Sequence, residues 1–358
     1  MVADLLQKLA AAAAGDNRPR AGYFCTYTPV EILAAAGCCP VRLEPRPEAG
    51  DGANGPLSAN VCSFVRACLA TALEGNAGDL GALVVAASCT GMMHLYSAWL
   101  ESGSAVPAYL LDVPRKTGEN ATAFFATQLR LLARGLGLPE GSQGEDALWK
   151  AIILYGKVYR TLQKFFGPSV NMAARERRAL LRLALSHADD RLPDVLRPKS
   201  GGSCRTPAGP SVLVTGCMVP DAVVSLVEEF GVRVAVDESC SGLRPLLFSG
   251  ETMDSWGDDP FLALARRYLS RAPCPRMSLE SRLAHVVSLA TGYRVAGVIY
   301  FAMKFCDFAL HEFPPLRSAF EARRIPVIML EGEYLLAATG QLRTRIEAFL
   351  EAVSTRGE

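Results

Sequence analysis

Short, nearly uninterrupted apolar runs punctuate this chain, and amphipathic stretches of two to five turns separate them. PVRLEP (40–45), GALVVAAS (81–88) and PAYLLDVP (107–114) read as strands in the N-terminal half. SVLVTG (211–216), VRVAVDE (232–238), VAGVIYFA (295–302) and IPVIMLE (325–331) do so in the C-terminal half. Runs this short and this apolar suit strands buried on both faces of a parallel sheet. Helical spacing marks VEILAAAG (30–37), closed by Gly37, and VCSFVRACLATALEG (61–75). It returns in DAVVSLVEEFG (221–231), DPFLALARRYLSR (259–271), LESRLAHVVSLATGY (279–293), FPPLRSAFEARR (313–324) and QLRTRIEAFLEAV (341–353). Strand and helix alternate, which predicts parallel sheets with helices on both faces.

From 120 to 190 the pattern is helical throughout. The chain is therefore expected to be α/β, with two flavodoxin/Rossmann-like parallel-sheet domains and a helical connector. The predicted boundaries are 1–119, a connector at 120–195, a linker at 196–210 inside a Pro/Gly/Ser-rich stretch, and 211–358. Residues 46–59 are rich in Pro and Gly and read as a loop. Leu80 to Leu100 is long and apolar enough to suggest a membrane span. It divides instead into a strand, a Cys-Thr-Gly turn and MMHLYSAWL at helical spacing, so no membrane is expected.

Lysine and arginine (37) nearly balance aspartate and glutamate (36), so net charge does not steer the chain toward nucleic acid or an anionic membrane. The N-terminal stretch reads as an Ala-rich amphipathic helix, not a secretion signal, and a reducing, cytoplasmic setting is expected. Eleven cysteines, an odd number, argue against a fully paired disulfide set. In that setting clustered thiols point to metal ligands or catalysts.

In open parallel sheets, ligands bind beyond the carboxyl ends of the strands. Cys89, Cys240 and Cys306 fall there. Cys25, Cys62 and Cys274 sit in loop or helix-start phrases of the same kind, and thiolate sulfur selects iron–sulfur clusters or zinc. Cys217, after Gly216 at the end of a strand, is a reserve candidate. Cys38, Cys39, Cys68 and Cys204 read as packing or hinge residues. No C-x-x-C occurs, which removes ferredoxin-type spacing, zinc ribbons and thioredoxin-like pairs. There is no Gly-rich phosphate loop, and the Lys-Thr-Gly at Lys116 lacks such a cradle. His94, one turn beyond Cys89, and Glu238 are weak candidates for proton transfer. Asp237 and Asp307 are carboxylates of the same kind, each with helix capping as the competing reading. Lys304, Arg66 and Arg244 lie near cysteines and could balance an anionic cluster.

The phrases GYFCTYTPVEILAAAG, NVCSFVRACL, SCTGM, LLDVPRK, VDESCSGLR, RRYLSRAPCPRM, IYFAMKFCD and GQLRTRIEAFLE together resemble the 2-hydroxyacyl-CoA dehydratase superfamily. That superfamily also holds benzoyl-CoA reductase subunits and double-cubane cluster proteins. The resemblance implies two flavodoxin-like domains. In the dehydratases three cysteines, at positions resembling Cys62, Cys89 and Cys306, hold a 4Fe–4S cluster with one open iron. Double-cubane members hold an 8Fe–9S cluster with six thiolates, and Cys25, Cys240 and Cys274 would supply the second set.

The resemblance further implies electrons from a separate ATP-hydrolysing 4Fe–4S reductase, itself a homodimer. Moving an electron from roughly −400 to −700 mV costs about 7 kcal/mol, which explains the coupling to ATP. Three readings follow. The chain is an oxygen-sensitive double-cubane reductase of small molecules, expected to be a homodimer. Alternatively it is a 4Fe–4S subunit of a 2-hydroxyacyl-CoA dehydratase, paired with a homologous chain and handling a CoA thioester. The third reading is a non-catalytic electron-transfer or scaffold protein.

Overall fold

The computed structural model describes residues 2–45, 55–73, 79–167, 170, 172–186, 188–189, 192–196, 210–248, 257–335 and 340–354. Cys204, most of the 196–210 linker and much of the 46–59 loop lie outside the described residues.

Two four-stranded parallel sheets form the frame. The first contains β1 (Arg20–Tyr23), β2 (Cys39–Arg42), β3 (Leu80–Ala86) and β4 (Ala108–Leu111), in the order β2-β1-β3-β4. The second contains β5 (Ser211–Gly216), β6 (Arg233–Glu238), β7 (Gly297–Met303) and β8 (Val327–Gly332), in the order β6-β5-β7-β8. Every pairing is parallel. In both sheets the order reverses after the first strand. Connections from β1 and β3, or from β5 and β7, therefore leave toward opposite faces and open a crevice at their carboxyl ends. This is the expected fold class, carried out twice.

Alternate residues of the central strands enter different cores. Ala82, Val84 and Ala86 of β3 face one cluster, and Leu83 and Val85 the other. On β7, Val298, Tyr300 and Ala302 divide from Ile299, Phe301 and Met303 in the same way. With both faces buried, the period of two loses its polar half, and the strand reads as a continuous apolar run.

The helices follow the amphipathic pattern. α1 (Val2–Ala14) precedes the first sheet. α2 (Val30–Ala35), α3 (Ser63–Thr71) and α4 (Thr90–Glu101) connect its strands. The long apolar run of the sequence is thus β3, a turn and α4, and among the described residues no helix is long and apolar enough to cross a membrane. α5 (Glu119–Gly135), α6 (Ser142–Gln163), α7 (Ala174–Ser186) and the short α8 (Leu192–Val195) occupy the connector. They do not stand apart from the sheets: Leu129, Ile152 and Leu180 share one core with Ala21 and Val84 of the first sheet and Leu213 and Tyr300 of the second.

Around the second sheet lie α9 (Asp221–Glu229), α11 (Leu279–Gly292), α12 (Asp307–Glu321) and α13 (Gly340–Ser354), while α10 (Pro260–Leu269) packs on α5 and α6. α12 begins at Asp307, two turns before the stretch that carries its sequence pattern, so Pro314 and Pro315 lie inside it. Each proline removes a backbone donor and crowds the preceding turn. Burial of Ala309, Glu312, Leu316 and Phe320 along one face holds the helix through that defect.

Gly216, the last residue of β5, has φ +135°, and a Cβ there would sit 2.2 Å from the Phe301 carbonyl oxygen of the neighbouring strand. No side chain fits, and an L-residue would be strained in that conformation. Gly216→Ala is expected to destabilise the fold by roughly 2–5 kcal/mol, combining backbone strain with overpacking. Denaturant unfolding would measure it; an unchanged midpoint would show that the β5–β7 contact is loose.

Candidate functional site: a cavity lined by cysteines

The crevices of the two sheets open on one cavity of about 120 Å³. Seven cysteines line it: Cys25, Cys62, Cys89, Cys217, Cys240, Cys274 and Cys306. All six ligand candidates from the sequence are among them, and the reserve candidate Cys217 is the seventh. Six are delivered by a strand end or a helix start, and Cys274 by a loop between two helices. Cys25 follows β1 in a turn closed by Thr28 N–H donating to the Cys25 carbonyl (3.0 Å). Cys62, Cys89 and Cys306 occupy the N-cap positions of α3, α4 and α12. Cys217 follows β5, Cys240 follows β6, and Cys274 lies between Pro273 and Pro275 after α10. Cys38, Cys39 and Cys68 are buried and absent from the lining, as packing residues.

The remaining lining is apolar, cationic or hydroxyl-bearing, the last from Thr26, Tyr27 and Ser88. Phe24, Phe64, Val65, Met92, Met218, Met303 and Phe308 supply the apolar part, and Arg42, Arg244 and Arg276 the charge. Among the described residues no carboxylate, histidine or lysine is in the lining. Seven thiols and three guanidiniums, with no oxygen donors beyond three hydroxyl residues among the described lining side chains, suit a soft, anionic guest better than a hard oxygen-ligated cation.

Burial pushes the Cys62 thiol up to about 12, and neighbouring Cys306 adds to the shift. The backbone N–H groups of Val65 and Phe64 at the start of α3 work the other way. Burial also raises Cys274 to about 11, against Arg276 and Arg244. Cys25 and Cys89 are raised for the same primary reason. The Cys217 and Cys306 sulfurs lie 3.9 Å apart. Their mutual contact shifts Cys306 down and Cys217 up, and the Ala309 backbone N–H at the start of α12 also favours charge on Cys306.

The arginines are fixed by groups from both halves. Arg42, at the end of β2, donates Nε to the Phe24 carbonyl (3.1 Å) and Nη1 to the Cys240 carbonyl (2.5 Å) across the cavity. Arg276 reaches back to the carbonyls of Val113 (3.2 Å) and Pro114 (3.1 Å) and stacks on Tyr27 at 4.7 Å. Arg271 donates to the Thr26 carbonyl, and Tyr268 donates to Glu31 (2.7 Å). These bonds strap the Cys25 turn to the segment carrying Cys274.

Arg244 donates Nη1 to the Cys240 sulfur (3.2 Å) and Nη2 to the Gly216 carbonyl (2.6 Å). Its Nε meets Glu238 at 2.8 Å. Glu238 is fully buried and also pairs with Arg282 at 2.7 Å, and Arg282 in turn binds Glu312 at 2.6 Å. Burial opposes charge on Glu238, but Arg244 and Arg282 overcome it and hold the carboxyl well below its ordinary range. Glu238 therefore stands beneath the cavity as a locked anion, not in its lining. His94 is exposed on α4 and is not brought to the cavity. Asp237 pairs with Arg178 at 2.6 Å, and Asp307 opens α12. Arg66 and Lys304 both turn to Glu333 instead of the cavity. Arg42 and Arg276 went unnoticed in the sequence, although Arg42 obeys the strand-end rule that selected the cysteines.

Glu238→Gln leaves two buried guanidiniums short of a partner, and a loss of about 3–5 kcal/mol is expected in denaturant unfolding. The pH dependence has a defined sign. A carboxyl depressed by folding stabilises fully above its unfolded value, near 4.5, and that stability drains away as pH falls further. The acid limb of the stability profile should therefore be shallower in Glu238→Gln than in the wild type; parallel limbs would show that Glu238 is not the group responsible.

Comparison with known proteins places this cavity in context. The family described as 2-hydroxyglutaryl-CoA dehydratase, D-component, matches residues 25–353. Protein YjiM of Escherichia coli (strain K12), which carries the name of a dehydratase subunit, is 26% identical over 93% of this chain and 91% of its own length. The beta subunit of (R)-phenyllactyl-CoA dehydratase from Clostridium sporogenes is 22% identical, covering 91% of this chain and 90% of its own. The beta subunit of lactoyl-CoA dehydratase from Anaerotignum propionicum is 21% identical over 92% and 90%. The matched span takes in all seven thiols of the cavity, so the chain belongs to the 2-hydroxyglutaryl-CoA dehydratase D-component family.

Proposed function

We propose that the chain is the iron–sulfur component of a two-component enzyme. It takes low-potential electrons from a separate ATP-hydrolysing reductase and reduces a small molecule at an 8Fe–9S double-cubane cluster. The observation that carries this reading is the convergence of seven thiols and three guanidiniums on one cavity, with no carboxylate or histidine in the lining among the described residues. Among the described residues no three His, Cys, Asp or Glu side chains come close enough to hold a single metal ion. A lone zinc would need four donors at about 2.0–2.3 Å. A polynuclear cluster takes its thiolates one per iron over a wider cage, and the spread ring of cysteines suits that demand.

Cys62, Cys89 and Cys306 would hold one cubane, and Cys25, Cys240 and Cys274 the other. When bound, such a cluster supplies electrons at very low potential. The protein's own groups have separate work. Arg42, Arg244 and Arg276 offset the negative charge of the thiolates, as do the N-termini of α3, α4 and α12. Phe24, Met92, Met303 and Phe308 limit water at the sulfurs. Thiols raised by burial must give up protons on loading, so the guest is bound against a desolvation cost that these cations reduce. A cytoplasmic location and a homodimer complete the reading.

A second reading, a 4Fe–4S subunit of a 2-hydroxyacyl-CoA dehydratase paired with a homologous chain, draws on two observations. Two of the relatives named above carry the names of (R)-phenyllactyl-CoA and lactoyl-CoA dehydratase subunits. A groove of about 1480 Å³, bordered by Arg115, Lys116, Arg266 and Arg276, also adjoins the cavity and suits a phosphate-bearing substrate.

Anaerobic purification with iron and sulfide quantitation separates them: about eight irons per chain for the double cubane, about four for the single cluster. Cys240→Ala or Cys274→Ala should halve the iron in the first case and leave it unchanged in the second. A colourless, iron-free protein that cannot be reconstituted sinks both.

A further inference from the structure

Cys217 has no place among the six thiols of the proposed cluster set, yet it lies against one of them. β5 and β7 are neighbours, with Gly216 opposite Phe301 in register, and Cys217 and Cys306 follow the ends of these two strands. Their sulfurs are 3.9 Å apart. Both residues are partly exposed and line the same cavity, so a small oxidant that enters the cavity reaches both. A disulfide requires the sulfurs to close to about 2.05 Å, and that closure is within reach of side-chain rotation when the thiols already touch.

We propose that Cys217 and Cys306 form an oxidation-sensitive thiol pair, which closes to a disulfide in the metal-free chain and withdraws Cys306 from metal binding. The oxidant is a hydroperoxide. One thiol of the pair attacks it: the O–O bond breaks, a sulfenic acid forms, and one water leaves when the oxidant is hydrogen peroxide. The second thiol attacks the sulfenic sulfur, the S–O bond breaks, the S–S bond forms, and a second water leaves. Two thiols thus lose two electrons and two protons, and one peroxide takes them up. Thiol–disulfide exchange with a dithiol reverses the change.

The withdrawal of Cys306 rests on its ligand role in the proposed function; the bond itself does not. Cys306 sits at the N-cap of α12 directly after Phe305, whose φ is +64°. The turn that presents it is held by Cys306 N–H donating to the Met303 carbonyl at 3.1 Å and by Lys304 N–H donating to the Gly332 carbonyl at 3.0 Å. Cys217 is presented by Gly216, whose conformation and lack of a Cβ are required by the β7 backbone. Both sulfurs are thus carried on turns fixed to the second sheet, and the oxidised pair needs no movement between the two halves of the chain.

The test uses metal-free full-length protein treated anaerobically with about one equivalent of hydrogen peroxide, alkylated, digested without reductant and mapped by mass spectrometry. The expected product is a crosslink between the Cys217 and Cys306 peptides, a loss of about two titratable thiols per chain, and their recovery with dithiothreitol. Cys217→Ser and Cys306→Ser should each abolish the crosslink. Circular dichroism checks that each variant folds, and if one does not, the other carries the control. Oxidised wild type should then take up roughly half the iron of the reduced protein, or less, on reconstitution. A crosslink between other cysteines, or oxidation to sulfinic acid without a crosslink, overturns the proposal. The peptide map is read without metal, so a protein that never binds iron but forms this crosslink refutes the cluster and leaves the pair standing.

Discussion

The reversal of strand order after β1 and again after β5 is the constraint on which the site depends. A parallel sheet buried on both faces has no room for a ligand except beyond its strand ends. Where successive connections depart to opposite sides, the backbone itself leaves a gap. In this chain both gaps open on the same cavity, with Cys25 and Cys89 delivered beside one and Cys217 and Cys306 beside the other. Neither sheet encloses the cavity alone. Arg42 bonded to the Cys240 carbonyl, Arg276 to those of Val113 and Pro114, and Arg271 to that of Thr26 fix the two gaps face to face.

Electrostatics follows from that geometry. Thiols collected in a dehydrated space resist ionisation, which burial of Cys62 and Cys274 makes plain. Arginine is the cation able to face them from a buried wall, because its guanidinium keeps its charge there and can bond several groups at once. Arg244 uses that capacity fully, holding Glu238, Gly216 and the Cys240 sulfur together. Glu238 and Glu312 then stand against Arg244 and Arg282, so the layer below the sulfurs holds equal numbers of opposite charges. The charge beside Cys240 is thereby kept in place by a layer of paired ions.

Much of this was legible in the chain because strands buried on both faces announce themselves, and a cysteine just after such a strand is placed at its carboxyl end. That rule found Cys89, Cys240 and Cys306. It left Cys217 as a reserve candidate; the contact of Cys217 with Cys306 depends on β5 lying beside β7, and strand order is not written in local pattern. Arg276 escaped for a related reason: its partners, Val113 and Pro114, are more than 160 residues away in sequence. Helix spacing suggested His94 for the cavity, yet its side chain is exposed, and Met92 of the same turn lines the cavity instead. Glu238 was correctly placed next to Cys240 in sequence, but the period of two in β6 sends its side chain to Arg282 and Thr215 beneath the cavity.

The two halves repeat one topology but contribute unequally. The first supplies Cys25, Cys62 and Cys89, and the second Cys217, Cys240, Cys274 and Cys306. Three thiols and four is the division expected if the halves share a guest that needs three from each, with one sulfur left over. The surplus sulfur is not remote from the others but in contact with Cys306. A thiol in that position has two chemical courses open to it: it can compete for metal, or it can bond to its neighbour when metal is absent. The 3.9 Å separation, already near contact and set by two adjacent strands, favours the second, because the S–S bond then forms within one sheet and leaves the straps between the halves undisturbed.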